Sequence, residues 1–275
     1  MRQETGTFTT ADGLELFTQR WLPEAPQAII ILLHGYAEHS SRYRHVAEFL
    51  VARGFAVHTF DYRGHGKSEG QRAYLERFDL LVEDAVRFVD LLSAGEGLKR
   101  VLLGHSTGGA VALNCALRRE FKVEALILSS PYLRNAVPVS PVTEALGRFL
   151  SRTAPMLPVI RLNVKDVSRE LAVVEAYRAD PLVYNKRVRA RTASELAAAG
   201  RLLEPRLAEL TLPLLIMCGS EDKIAALAGS ELLYERAGSS DKTLKVYDGH
   251  YHELFNDLDK ERVLKDMVGW LTARL

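Results

Sequence analysis

Short, mostly apolar runs alternate along this chain with longer segments in which apolar residues recur every three or four positions. Residues 28–33, 55–60, 100–103, 124–128, 214–218 and 244–247 have the length and branched side chains of buried strands. Between them, Val46, Phe49 and Leu50 form one helical stripe, and Leu80, Leu81, Asp84, Phe88 and Leu91 form a second. Val263, Met267, Trp270 and Leu271 form a third near the end of the chain. Parallel strands need crossover segments, so the alternation predicts an α/β fold whose mostly parallel central sheet is flanked by helices on both faces. Residues 6–9 and 14–18, set about Asp12-Gly13, predict a hairpin on an antiparallel edge.

One interval breaks the alternation. From Tyr132 to Pro213 no clear strand is evident, and the stretch far exceeds the ~15 residues of an ordinary loop. It is too apolar for disorder. Val142, Leu146, Phe149 and Leu150 recur at helical spacing, the run Met156-Leu157-Pro158-Val159-Ile160 follows, and residues 195–203 favour helix. Because the interval follows a strand of the sheet, it belongs above the carboxyl ends of the strands. The expected organisation is a core of residues 1–131 and 213–275 with an inserted helical cap at 132–212.

Composition narrows the function. The 275 residues, 47% hydrophobic and 26% charged, fit one domain with an insertion. A net charge of +1 gives no reason to expect nucleic acid as a partner, since phosphate binding needs a concentrated basic face. Arg187, Arg189 and Arg191, followed by acidic residues, predict a solvated helix face. Cys115 and Cys218 lie in apolar runs without C-x-x-C or zinc spacing, so buried thiols are expected and neither a disulfide nor a metal. The polar N-terminus lacks the apolar stretch of a signal peptide, and no run is long enough to span a bilayer; the expectation is a soluble cytoplasmic protein.

The chemistry centres on Gly104-His105-Ser106-Thr107-Gly108, a G-x-S-x-G frame between a predicted strand and a predicted helix. A serine is useful as a nucleophile when a tight turn lifts its hydroxyl toward a base, and small flanking residues permit that turn. The base needs a carboxylate, and on such a scaffold the chain order is serine, acid, histidine. Asp222, with Glu221 as fallback, follows one late strand; His250 and His252 both follow the last, and spacing does not separate them. For the oxyanion, the N–H of Thr107 is one expected donor and that of Tyr36, in the loop after residues 28–33, the other, with Gly35 permitting the turn. His34 is expected to brace that loop. Residues 60–68 lack the P-loop pattern and read as a turn braced by Asp61, Arg63 and Ser68.

Taken together, His34-Gly35-Tyr36-Ala37-Glu38-His39-Ser40-Ser41-Arg42-Tyr43, Asp61-Tyr62-Arg63-Gly64-His65-Gly66-Lys67-Ser68, the Ser106 frame and Tyr247-Asp248-Gly249-His250-Tyr251-His252 resemble the monoacylglycerol lipase and lysophospholipase branch of the α/β-hydrolase superfamily. The resemblance spans nearly the whole chain. It implies a cofactor-free serine hydrolase of lipid esters, with His252 rather than His250 as base, and Glu38 and Arg42 at the glycerol end of the pocket. The chain departs from it at Phe255, where a second histidine near the alcohol site is expected. Transient contact of an apolar cap face with membranes also follows as an expectation.

Overall fold

The computed structural model describes residues 1–93, 97–118 and 120–275. The chain opens with β1 (Arg2–Thr9) and β2 (Glu15–Leu22), the predicted hairpin, paired antiparallel from Arg2 opposite Leu22 to Thr9 opposite Glu15. Then β3 (Ala28–Leu33), α1 (Arg44–Val51), β4 (Phe55–Phe60), α2 (Phe78–Ser93), β5 (Lys99–His105), α3 (Thr107–Ala116) and β6 (Ala125–Ser129) alternate. The six strands predicted between residues 28 and 247 form within two residues of their expected bounds, whereas β1 starts four residues earlier and β2 ends four residues later than the hairpin pattern indicated.

Residues 132–212 then contribute α4 (Pro141–Thr153), β7 (Pro158–Ile160), α5 (Leu171–Ala179), β8 (Val188–Arg189) and α6 (Ala190–Leu203). The chain returns to the large sheet with β9 (Leu214–Gly219), α7 (Leu227–Arg236), β10 (Lys242–Tyr247) and α8 (Lys260–Thr272). The large sheet runs β1-β2-β4-β3-β5-β6-β9-β10 and is parallel from β4 onward. The chain steps from β3 outward to β4 and then back across to β5, so the order reverses between β3 and β5. A crevice opens at such a point, outside the carboxyl ends of the strands.

Alternating residues of the central strands feed two apolar layers. Ile29, Ile31 and Leu33 pack with α2 and α3, while Ile30 and Leu32 pack with α1 and α8. Both thiols are buried. On α2 the core face is Leu81, Val82, Ala85, Phe88 and Val89; Leu91, placed on the expected stripe, is 54% exposed. Asp84 sits within that apolar face because Arg63 meets it at 2.7 and 2.8 Å.

Two further expectations are corrected. The interval expected to lack strands holds a small antiparallel pair, β7 with β8, whose three and two residues are too short to leave a periodic trace in the sequence. Arg189 and Arg191 do not share a solvated helix face: Arg189 lies in β8 and donates to the Met156 carbonyl, and Arg191, in the first turn of α6, donates to the Glu76 carbonyl. Arg187 alone is exposed. Among the described residues, no helix is long and apolar enough to cross a membrane.

Candidate active site

Ser106 stands between β5 and α3 with φ 53° and ψ −117°, a sparsely populated backbone conformation for a residue with a side chain. The turn is held by the Ser106 N–H donating to the Ser129 carbonyl (2.9 Å) and by the Tyr132 N–H donating to the Ser106 carbonyl (3.0 Å). Its glycines are there for space. A Cβ on Gly104 would stand 2.3 Å from the Gly108 carbonyl oxygen, and one on Gly108 would stand 2.2 Å from that of Leu33.

His252 lies on the loop after β10. Its Nδ1 is 2.7 Å from Asp222 Oδ2 and its Nε2 is 2.8 Å from Ser106 Oγ. A carboxylate only accepts, so Nδ1 carries the proton and Nε2 is left to accept from the serine hydroxyl. Asp222 is anchored in turn, because its Oδ1 accepts from the N–H groups of Ile224 and Ala225 at 2.8 and 2.9 Å. Burial opposes charge on His252, yet the Asp222 carboxylate outweighs it and lifts the imidazole above its ordinary value. Burial likewise pushes Asp222 up, and His252 with the two N–H donors brings it below the usual carboxylate range. His250 instead donates from Nδ1 to the Asp248 carbonyl at 3.0 Å, and Glu221 is exposed.

Tyr36 and Thr107 both line the cavity beside Ser106. Thr107 is the first residue of α3, where backbone N–H groups have no partner within the helix. His34 braces the other loop through one peptide plane. It accepts at Nε2 from the Tyr62 N–H (3.0 Å), so Nδ1 bears the proton and donates to the Gly35 carbonyl (2.7 Å). That carbonyl and the Tyr36 N–H belong to the same trans peptide and point in opposite directions, so fixing one aims the other. The left-handed residue of the loop is Ala37, at φ 70°, rather than Gly35. Gly35 is needed for close approach, since a Cβ there would meet Glu38 Oε1 at 2.8 Å.

Glu38 reaches the cavity wall, but Arg42 stands behind it. Phe255 is buried in the core, away from the cavity, and its carbonyl accepts from His45. Two more side chains stand at the site, to which the sequence pattern assigns no role. Glu253, directly after His252, lines the cavity and takes both arms of the Arg42 guanidinium. His105, 4.9 Å ring to ring from His252, is pushed down to about 3 by burial and by that neighbour, and so stays neutral. Residues 61–68 brace a turn as expected: Asp61 accepts from Ser40 and from the Lys67 N–H, and Ser68 donates to the Asp61 carbonyl.

The cavity above Ser106 measures about 680 Å³. Leu146, Leu150, Val159, Ile160, Leu162 and Leu196 supply apolar wall, and Ser106, His252, Glu38 and Glu253 are among its polar lining residues. Among the described residues, no group of three or more His, Cys, Asp or Glu side chains is placed to hold a metal ion.

A family model described as "Serine aminopeptidase, S33" matches residues 24–259. The chain belongs to this α/β-hydrolase family. Among S33-related sequences, it is 38% identical to a monoacylglycerol lipase of Mycolicibacterium smegmatis over 98% of this chain and 97% of that one. It is 34% identical to the monoglyceride lipase of Homo sapiens, over 99% of this chain and 91% of the relative. Among solved structures, the monoacylglycerol lipase of Paleococcus ferrophilus superposes with a TM-score of 0.82 at 30% identity, covering 100% of both chains.

Proposed function

We propose that this S33 member is a carboxylic ester hydrolase acting on lipid esters, monoacylglycerols foremost, through an acyl-enzyme formed on Ser106. The observation that carries this reading is the relay from Asp222 through His252 to Ser106, at 2.7 and 2.8 Å, opening onto an apolar cavity. The similarity to monoacylglycerol lipases over nearly the whole chain supports the substrate class.

His252 takes the Ser106 proton as Oγ attacks the ester carbonyl, and Asp222 stabilises the imidazolium that forms. The N–H groups of Tyr36 and Thr107 receive the oxyanion, each such donor contributing about 3 to 4 kcal/mol to lowering the barrier. His252 then protonates the departing alcohol, and a water activated by the same imidazole releases the acid. In this reading residues 1–131 and 213–275 form the catalytic core, and 132–212 form the cap that walls the acyl chain and makes transient contact with lipid surfaces.

Replacing Ser106 by Ala is expected to lower turnover of a p-nitrophenyl ester by about 10⁶-fold, the loss seen when a serine triad loses its nucleophile, with the thermal melt unchanged. Retained turnover would overturn the assignment. Because the family description names an aminopeptidase, the substrate panel sets amino-acid p-nitroanilides beside monoacylglycerols of graded chain length and lysophospholipids. Preferential cleavage of the anilides would replace the ester reading with a peptide one.

A further inference from the structure

One guanidinium joins the loop that carries Tyr36 to the loop that carries His252. Arg42 Nη1 donates to Glu38 Oε2 at 2.5 Å and to Glu253 Oε1 at 2.7 Å, and Nη2 donates to Glu253 Oε2 at 2.6 Å. On one side, Glu38 Oε1 accepts from the Gly35 N–H (2.6 Å), one peptide before the Tyr36 N–H, and from the Tyr43 hydroxyl (2.7 Å). On the other side, Glu253 is the residue after His252, and its own N–H donates to the Val167 carbonyl of the cap (2.8 Å). The Tyr177 ring of α5 lies 4.6 Å from the guanidinium carbon, so the cap closes over the same group.

All three charges are buried, with side chains 10%, 3% and 5% exposed for Arg42, Glu38 and Glu253. Burying charges is a poor route to stability, because desolvation consumes much of the Coulomb gain. What a planar guanidinium does supply is direction: its two-armed bond fixes the plane of one carboxylate while a shared N–H ties in the second. Glu38 and Glu253 face the cavity and Arg42 does not, so the cation is spent on protein groups rather than on a ligand.

We propose that Arg42 is a positioning residue that holds the Tyr36 loop and the His252 loop in one register, keeping oxyanion donor and base at a fixed separation without touching substrate. The inference rests on the serine-hydrolase reading above and replaces the glycerol-contact role that the family resemblance implied for Arg42.

Arg42→Lys keeps the charge and loses the fork. Its kcat is expected to fall about 10- to 100-fold, the scale of a small misplacement of catalytic groups, on both p-nitrophenyl butyrate and a monoacylglycerol. KM should stay nearly constant, and the rate of labelling by a fluorophosphonate should fall in parallel. A rise in KM confined to the glycerol ester, with the p-nitrophenyl ester unaffected, would make Arg42 an alcohol ligand and overturn the proposal. Glu253→Gln, which leaves the Arg42–Glu38 pair in place, is the second arm. Since both substitutions open one clamp, the double variant should lose no more than the worse single, and fully additive losses would also overturn it. Ser106→Ala serves as the unlabelled control. If the wild-type protein is not labelled, the hydrolase reading falls and takes this inference with it; normal wild-type labelling with an unaltered Arg42→Lys rate removes this inference alone.

Discussion

At the scale of single residues, the site rests on which atoms hold protons. His252 must be neutral to accept from Ser106, and its pKa lies above the ordinary imidazole value of 6.5, so kcat/KM should fall on the acid side with a midpoint above that value. Asp222→Asn removes the carboxylate that opposes burial and no longer enforces the Nδ1–H tautomer. It is expected to lower kcat by about 10⁴-fold and to move the acid limb to lower pH. Following p-nitrophenolate release from pH 5 to 9 checks both, and an unmoved limb would refute the role given to Asp222. His34 acts one step further out. His34→Ala should reduce kcat up to about 100-fold with little change in KM, because the Gly35 carbonyl that orients the Tyr36 N–H loses its donor. The Ser106 frame was readable in the sequence because its chemistry forces glycines into fixed positions. The choice between His250 and His252 was not, since it depends on which ring reaches across 146 residues of chain to Ser106, and only the family resemblance favoured the one that does. Glu253 escaped notice for the same reason: its partner Arg42 is 211 residues away in sequence.

At the scale of elements, the segment between β6 and β9 differs from the rest in what it leaves uncovered. The Ser140 side chain caps α4 and accepts from the Thr143 N–H, with Pro141 in the first turn, so the helix is well specified locally. Yet Val142 and Phe149 are 78% and 60% exposed, and neither lines the cavity. Two apolar side chains left in solvent on a helix whose Leu146 and Leu150 line the cavity suit an interface with an aggregated substrate. Replacing Val142 and Phe149 together by Ser should leave soluble p-nitrophenyl ester turnover unchanged while lowering both vesicle sedimentation and hydrolysis of vesicle-borne monoacylglycerol about 10-fold, as expected for removing a little over 1 kcal/mol of apolar contact. Equal activity on vesicles would eliminate this role for α4. The sequence pattern announced α4 and α6 but gave no account of their exposure, because an amphipathic period reports a stripe without saying whether protein or lipid covers it. The stripe on α2 errs at one end: Asp84 and Phe88 are buried as the period predicts, but Val82, Ala85 and Val89 complete the buried face and Leu91 is left 54% exposed.

At the scale of the whole molecule, the parallel core was legible because strands buried on both faces are written as nearly continuous apolar runs, and 28–33 and 55–60 kept their bounds as β3 and β4. What the pattern did not convey is how many polar groups the core would enclose. Seven of the eight histidines are buried. Burial pushes His65 and His105 down to about 3 and His58 to about 4, and it also lowers His34 and His45. In the unfolded chain all five titrate near 6.5. Below that pH the unfolded state therefore binds protons that the folded state refuses, and stability is lost as pH falls from 6.5 toward the depressed folded values. His252 has the opposite sign: its contribution is present below 6.5 and is lost as pH rises through its elevated folded pKa. Glu38, held at about 2 by Arg42 against the effect of burial, loses its contribution only below the ordinary carboxylate value of 4.5. Five groups against one decide the balance, so the melting temperature should begin to fall near pH 6.5 rather than near 4.5. Each withheld proton contributes about 1.4 kcal/mol per pH unit. Thermal melts from pH 8 to 4 measure this slope, and His58→Leu, which removes one such group from β4, should flatten it by about one proton's worth. A melting temperature that stays level between pH 7 and 5 would show that the buried histidines accept protons inside the fold after all, and that the neutral state assigned to His105 beside His252 is wrong.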